Sequence, residues 1–138
     1  MKRTLVLSAA AAAVAALLSA NPAVAAENVK VGIMWPLTGN AGAAGQASKA
    51  AAELVAEIVN NDHPELGDIP LAKGVGLPGL GGAKLELIFT DHQGNPSLAQ
   101  QLTTRLITQD KVHVLLGAYQ SSCSFTATAV AVKLHEDW

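Results

Sequence analysis

The stretch "VHVLLGAYQSSCSFTATAVAVKL", Val112 to Leu134, changes character in its middle. An unbroken apolar run ends at Gly117. Tyr119, Gln120, Ser121, Ser122, Cys123, Ser124, Thr126 and Thr128 then crowd together as an alanine and valine helical pattern takes over. A strand that ends in glycine and passes into a helix leaves the first backbone N–H groups of that helix without intrahelical partners. Serines at such a junction either cap those groups or leave them to a ligand, since a helix start favours negative charge. Which of the two applies depends on what else the chain brings to the same place.

Two earlier units have the same construction. Val29 to Trp35 alternates loosely and then runs apolar, as a buried strand does, and Pro36 stops it. The glycine-rich loop "PLTGNAGAAGQ" follows, and helical spacing begins at Gln46 and continues to Asn60. On that helix Ala47, Ala51, Leu54, Val55 and Ile58 form the expected core face, with Lys49, Glu53 and Glu57 opposite. Asn60 to Gly82 is rich in proline and glycine and reads as a long surface loop. Lys84 to Thr90 is the second strand, with Leu85, Leu87 and Phe89 on one face. After the turn "DHQGNPS", Asn95 is placed as a helix cap with Pro96 at the first helical position. Leu98, Leu102, Leu106 and Ile107 make the apolar stripe of a helix ending near Asp110. Val112 to Gly117 is the third strand, apolar enough to be covered on both faces, and a third helix begins around Ser122.

Strand and helix therefore alternate three times, which predicts an α/β fold with a parallel sheet between helical layers. Right-handed crossovers bring the C-terminal ends of all three strands to one edge, where sheets of this kind bind ligands. Three segments meet there: Pro36 to Gly45, Asp91 to Pro96, and Ala118 to Ser124. The hydroxyl-rich junction lies in the expected binding region.

The beginning of the chain has another purpose. Lys2 and Arg3 precede the uncharged run Leu5 to Leu18, and "NPAVA", Asn21 to Ala25, supplies a helix break and an A-x-A cleavage pattern. Residues 1–25 read as a secretory signal peptide, because an apolar run of about 14 residues is short of the roughly 20 that span a bilayer. Cleavage leaves about 113 residues, 26–138, enough for one small domain or part of a larger one. Without Lys2 and Arg3, seven basic residues face eleven acidic ones, a net charge of about −4 with no basic cluster. Nucleic acid is therefore not an expected partner. The single cysteine, Cys123, has no partner for an intramolecular disulfide.

Catalytic and cofactor chemistry finds little support. Ser121, Ser122 and Cys123 sit on a strand-to-helix turn, but "AYQSSCS" is not G-x-S-x-G. None of His63, His92, His113 and His135 is evidently positioned as their base, and the four lack metal-ligand spacing. "GVGLPGLGG" precedes a strand instead of following one, no G-K-[ST] occurs, and "TGNAGAAGQ" has the wrong spacing for G-x-G-x-x-G. The chain reads as a non-enzymatic binding protein without metal or cofactor, a serine or cysteine hydrolase being the weaker alternative. Ser121 and Ser122, with free N–H groups beside them, would suit a carboxylate or an amide oxygen.

"NVKVGIMWPLTG", "ELIFTDHQGNPSLAQQLTTRLI" and "KVHVLLGAYQSSCSFTATAVA" together resemble, in order and spacing, the solute-binding proteins of branched-chain amino acid ABC transporters. The resemblance, to the leucine/isoleucine/valine-binding type, covers nearly all of the mature chain except the long loop. It implies the three-layer lobe of a type I periplasmic binding protein, two such lobes closing on a small amino acid or amide. It also implies delivery to a membrane permease from the periplasm. The same fold serves as a ligand-sensing domain in regulatory receptors, which is the alternative.

By the same resemblance Ser121 matches the serine that contacts the ligand carboxylate, and Ala44 stands where relatives often present an aromatic ring, leaving more room. Tyr119, Gln120 and Ser122 complete the expected ligand-binding set. Gln93 and Gln120 stand where some relatives carry a disulfide between the turn after strand two and the junction after strand three. Relatives continue into a fourth strand and a second lobe, whereas this sequence reads "VKLHEDW" to Trp138. Residues 26–138 are thus expected to be an incomplete N-terminal ligand-binding lobe.

Export is directly testable. Mass spectrometry of periplasmic material should find a mature chain starting at Ala26, because Ala23 and Ala25 meet the small-residue requirement of signal peptidase. An intact Met1 in that fraction would refute the assignment.

Overall fold

The computed structural model of the chain describes residues 26–134. The expected signal peptide, residues 1–25, and His135 lie outside the described residues. The elements run β1 (Val29–Trp35), α1 (Gly42–Asn60), β2 (Leu85–Asp91), α2 (Pro96–Thr108), β3 (Val114–Gly117) and α3 (Ser121–Lys133). Both β2 and β3 pair in parallel with β1, so the sheet order is β2-β1-β3. Val29 through Trp35 face Leu85 through Asp91 in register, while β3 pairs only with Val31 to Met34. Crossing from β2 past β1 to β3 reverses the direction of winding and sets helices on both faces, the expected three-layer α/β arrangement.

The core lies mainly under α2 and α3. Met34, Leu106, Val112 and Ala127 form one buried cluster, with Ile88 and Leu115 packed against it. Asn95 starts α2 as predicted: its side chain accepts hydrogen bonds from the N–H groups of Ser97 and Leu98, and Pro96 occupies the first turn. Buried Thr103 is satisfied by donating to the Ala99 carbonyl at 2.7 Å, with the Met34 Sδ 3.0 Å away. Thr126 on α3 donates to the Pro96 carbonyl at 3.1 Å, tying the two helices together near their starts.

On the opposite face the predicted stripe of α1 is not the one buried: Ala47, Ala51, Leu54 and Val55 are exposed and Ile58 is half-buried. Gly42, Gly45, Ala56 and Val59 are the residues buried, whereas Leu54 and Val55 are 59% and 53% exposed. The helix approaches the strand ends through glycine and alanine, and small side chains permit the closer contact. Ala51 and Val55 instead border an apolar groove of about 430 Å³ with Val31, Ile33, Trp35, Leu85, Leu87 and Leu116. The third strand departs from expectation for the same reason. It begins at Val114, and Val114 and Leu116 are each 46% exposed, because no described element covers that part of the sheet. His113 precedes the strand, exposed, with its Nδ1 accepting the Lys30 N–H at 3.0 Å.

The segment after α1 is a loop with internal order. It contains three short 3₁₀ turns, at Pro64–Leu66, Pro70–Ala72 and Pro78–Leu80. It is fastened to α1 by the Gly76 N–H on the Val59 carbonyl at 2.7 Å. His63 lies between Glu57 at 3.1 Å and Glu65 at 2.8 Å; the hydrogen bond to Glu65 is the main cause of its raised pKa.

Gly45 shows how tightly α1 is seated. A Cβ there would overlap the carbonyl of Pro36, backbone that cannot swing aside. Helix propensity alone favours Gly→Ala by about 1 kcal/mol. The overlap opposes it: Gly45→Ala is expected to destabilise the chain by about 2 kcal/mol or more and lower the thermal midpoint by roughly 10 °C. An unchanged or higher midpoint in thermal denaturation would show that α1 is not packed on Pro36.

Candidate functional site

The three strand-end segments do converge, and polar side chains cross-link them. Asp91, the last residue of β2, reaches the loop after β1. Its Oδ1 accepts the N–H groups of Leu37 and Gln93, both at 2.9 Å, and its Oδ2 accepts the Thr38 hydroxyl at 2.5 Å. Burial pushes the Asp91 pKa upward, but the hydrogen bonds from Thr38, Gln93 and Leu37 outweigh it and hold the carboxyl below its ordinary range.

The next residue, His92, spans the sheet edge in the other direction. Its ring is fully buried. Nδ1 accepts the Gly94 N–H at 3.0 Å and Nε2 lies 3.0 Å from the Ala118 carbonyl, beyond β3. A backbone N–H can only donate and a carbonyl only accept, so the ring carries its proton on Nε2. Sequence reasoning considered His92 only as a general base or a metal ligand and missed this bridge. The signal available was its position one residue past a strand end, inside the turn sequence "DHQGNPS".

The junction after β3 is tightly turned. Gly117 has a φ of +101°, and a Cβ there would lie 2.5 Å from the Met34 carbonyl oxygen and 2.7 Å from the Trp35 indole nitrogen. Trp35 also packs obliquely on Phe89, with centroids 6.1 Å apart. The Gln120 N–H bonds back to the Ala118 carbonyl, closing a three-residue turn around Tyr119. Tyr119 has a φ of +54° and Gln93, on the neighbouring loop, +55°, both left-handed conformations in residues other than glycine. Tyr119 projects outward and is 59% exposed.

α3 begins at Ser121, one residue earlier than the sequence indicated, with Gln120 in the cap position and no side-chain cap. Ser121 and Ser122 are therefore first-turn residues and are exposed. The capping role open to them in the sequence is not the one they take. Ser124 donates back to the Gln120 carbonyl at 3.2 Å. Cys123 is fully buried against Ala99 and Ala118, which removes its thiol from the surface. The three described histidines hydrogen-bond elsewhere: His63 to Glu65, His92 to backbone and His113 to the Lys30 N–H. Among the described residues no cluster of three or more metal-ligating side chains occurs.

Gln120 packs against Gly94. A Cβ on Gly94 would stand 2.7 Å from the Gln120 Nε2, so the amide fills the space a side chain would take. The Gln120 Oε1 is buried without a hydrogen-bond partner among the described residues, a desolvated acceptor. Ala44 lies half-buried in the first turns of α1, and the carbonyl of Leu37 nearby accepts the Gln46 side-chain amide at 3.0 Å. The large apolar groove lies under α1 on the sheet face and reaches this edge only at Trp35.

The profile of the periplasmic binding protein family matches residues 28–134. The chain belongs to that family. Its fold is that of a type I periplasmic binding protein lobe. Solved structures of this kind include the branched-chain amino acid transporter substrate-binding protein LivJ from Streptococcus pneumoniae in complex with isoleucine. That protein is 26% identical with a TM-score of 0.60, over 78% of this chain and 26% of that one. An ABC transporter solute-binding protein from Rhodopseudomonas palustris BisB5 in complex with 3,4-dihydroxybenzoic acid is 25% identical, TM-score 0.58, covering 77% and 24%. The leucine-binding protein LivK of Thermotoga maritima, 21% identical with TM-score 0.58 over 76% and 25%, shares the fold. This periplasmic binding protein chain thus spans about a quarter of those structures. A comparison with curated protein sequences returns no match.

Asp91 makes the polar cross-links of this edge testable by pH. A depressed pKa contributes stability above the ordinary carboxylate value of about 3.9 and loses it as pH falls through the folded value. Asp91→Asn is expected to cost about 1 to 2 kcal/mol at pH 7. In urea denaturation the gap from wild type should close as pH falls below about 4. A gap independent of pH would mean that the carboxylate charge does not hold the loops.

Proposed function

We propose that this chain supplies the ligand-binding lobe of a periplasmic substrate-binding protein of an ABC importer. Its ligand would be a branched-chain amino acid or a related small amino acid or amide, delivered to a membrane permease. The observation that carries this reading is the start of α3, where Ser121 and Ser122 stand exposed beside uncapped N–H groups at the ligand-binding edge of a parallel sheet. Family membership supports it. So does a chemical feature common to the two ligands named above: isoleucine and 3,4-dihydroxybenzoic acid both carry a carboxylate.

Ser121 is assigned the carboxylate contact, with Ser122 beside it. Tyr119 and Gln120 form the adjoining wall, and the small side chain of Ala44 leaves space across from them. A serine hydroxyl and a helix start offer a carboxylate about 1 to 3 kcal/mol. Micromolar affinity needs about 8 kcal/mol, so enclosure and groups for the ligand's positive end contribute the larger part.

Titration calorimetry of the natural gene product with leucine, isoleucine, valine, short amides and 3,4-dihydroxybenzoate tests the proposal. One of the aliphatic amino acids or amides should bind, and Ser121→Ala should weaken it by about 5- to 150-fold without lowering the thermal midpoint. Binding of the aromatic acid alone would overturn the ligand class, and an unaffected Ser121→Ala variant would overturn the site.

A further inference from the structure

We infer that His92 is the positioning residue of this site: its buried ring braces the left-handed turns at Gln93 and Tyr119 and thereby orients the first turn of α3. The functional part of the inference rests on the reading that ligand binds at this edge. The structural part stands on its own.

Three observations meet at the ring. First, it connects the two outer strands of the sheet. His92 follows β2, whereas Ala118 follows β3, and β1 lies between them; the His92 N–H also bonds to the Trp35 carbonyl at the end of β1 at 3.3 Å. One residue therefore holds the ends of all three strands. Second, each ring nitrogen bonds a backbone group directly next to a residue with positive φ. Gly94 follows Gln93, and Ala118 precedes Tyr119. Such conformations are strained in residues other than glycine and persist where the surroundings hold them. Third, the Ala118 carbonyl accepts both the His92 ring and the Gln120 N–H, using its two lone pairs to close the turn that presents Tyr119 and leads into Ser121.

The ring's burial gives the bridge its selectivity. Loss of either bond would leave a buried ring nitrogen without a partner away from water. Glutamine has an acceptor and a donor at nearly the spacing of the two ring nitrogens, so it can remake both bonds. Leucine fills a similar volume and makes neither.

Nuclear magnetic resonance and calorimetry on the natural gene product, with isoleucine as the probe, decide the matter. Histidine nitrogen spectra of the wild type should show the His92 proton on Nε2; a proton on Nδ1 would overturn the bridge whether or not any variant folds. His92→Leu should speed exchange of the Gly94 amide about tenfold or more and abolish the positive φ at Tyr119. It should also weaken isoleucine about tenfold, and His92→Gln should restore all three. Unchanged Gly94 exchange and Tyr119 geometry in His92→Leu would overturn the brace. Isoleucine affinity that stays intact once the turn is lost, or that His92→Gln fails to recover along with the turn, would overturn its functional part. If wild type binds none of leucine, isoleucine, valine and short amides, that ligand reading fails, while the spectra and exchange rates still decide the brace.

Discussion

β1 is hydrogen-bonded on both edges to strands that run in its own direction, and the rest of the molecule depends on that arrangement. Parallel neighbours cannot be joined by tight turns, so each connection must leave the sheet, cross a face as a helix and return. Placing β2 on one side and β3 on the other sends the first crossover over one face and the second over the opposite face. The chain therefore emerges from all three strands at one edge. The loops after β1 and β3 diverge there to helices on opposite faces, the arrangement at which open α/β sheets bind ligands.

An edge lined by loops is useful for binding only if the loops keep their shape. Here two consecutive side chains at the end of β2 supply the restraint. Asp91 gathers N–H and hydroxyl donors from the loop after β1, and His92 reaches past β1 to the junction after β3. Because the first is charged and partly open to water while the second is fully buried, they respond to different conditions. The charge-assisted bonds of Asp91 weaken with acid; the bonds of His92 depend on exclusion of water. Backbone strain is found beside these restraints, at Gln93 and Tyr119, where the surrounding bonds can hold it.

The two faces of the sheet differ in how completely they are covered. Under α2 and α3 the side chains are closely interlocked around Met34 and Leu106. Under α1 the sheet keeps an open apolar groove, and Leu116 and Val114 of β3 stay half exposed among the described residues. Close packing is thus concentrated on the face from which α3 projects its first turn. That face also holds Cys123, buried with Ala99 and Ala118, a few residues from Ser121 and Ser122.

Local patterns in the sequence determined the order of the elements, their approximate limits and the edge at which they converge. Hydrophobic period, the Asn95–Pro96 helix start and the glycine at the end of β3 are properties of neighbouring residues, and they act the same way in any surroundings. They also marked the hydroxyl-rich junction. Periodicity could not say which apolar residues of α1 would be covered, because Leu54 and Val55 look like core residues until the partner surface is known. It could not say whether the serines cap α3, since that depends on where the helix starts, at Ser121 with Gln120 before it. Nor could it pair Gln120 with Gly94, or His92 with Ala118, residues brought together only by the β2-β1-β3 order. Those contacts were decided by tertiary structure alone: a buried hydrogen bond across a sheet needs both partners placed within about 3 Å, and no spacing along the chain encodes that distance.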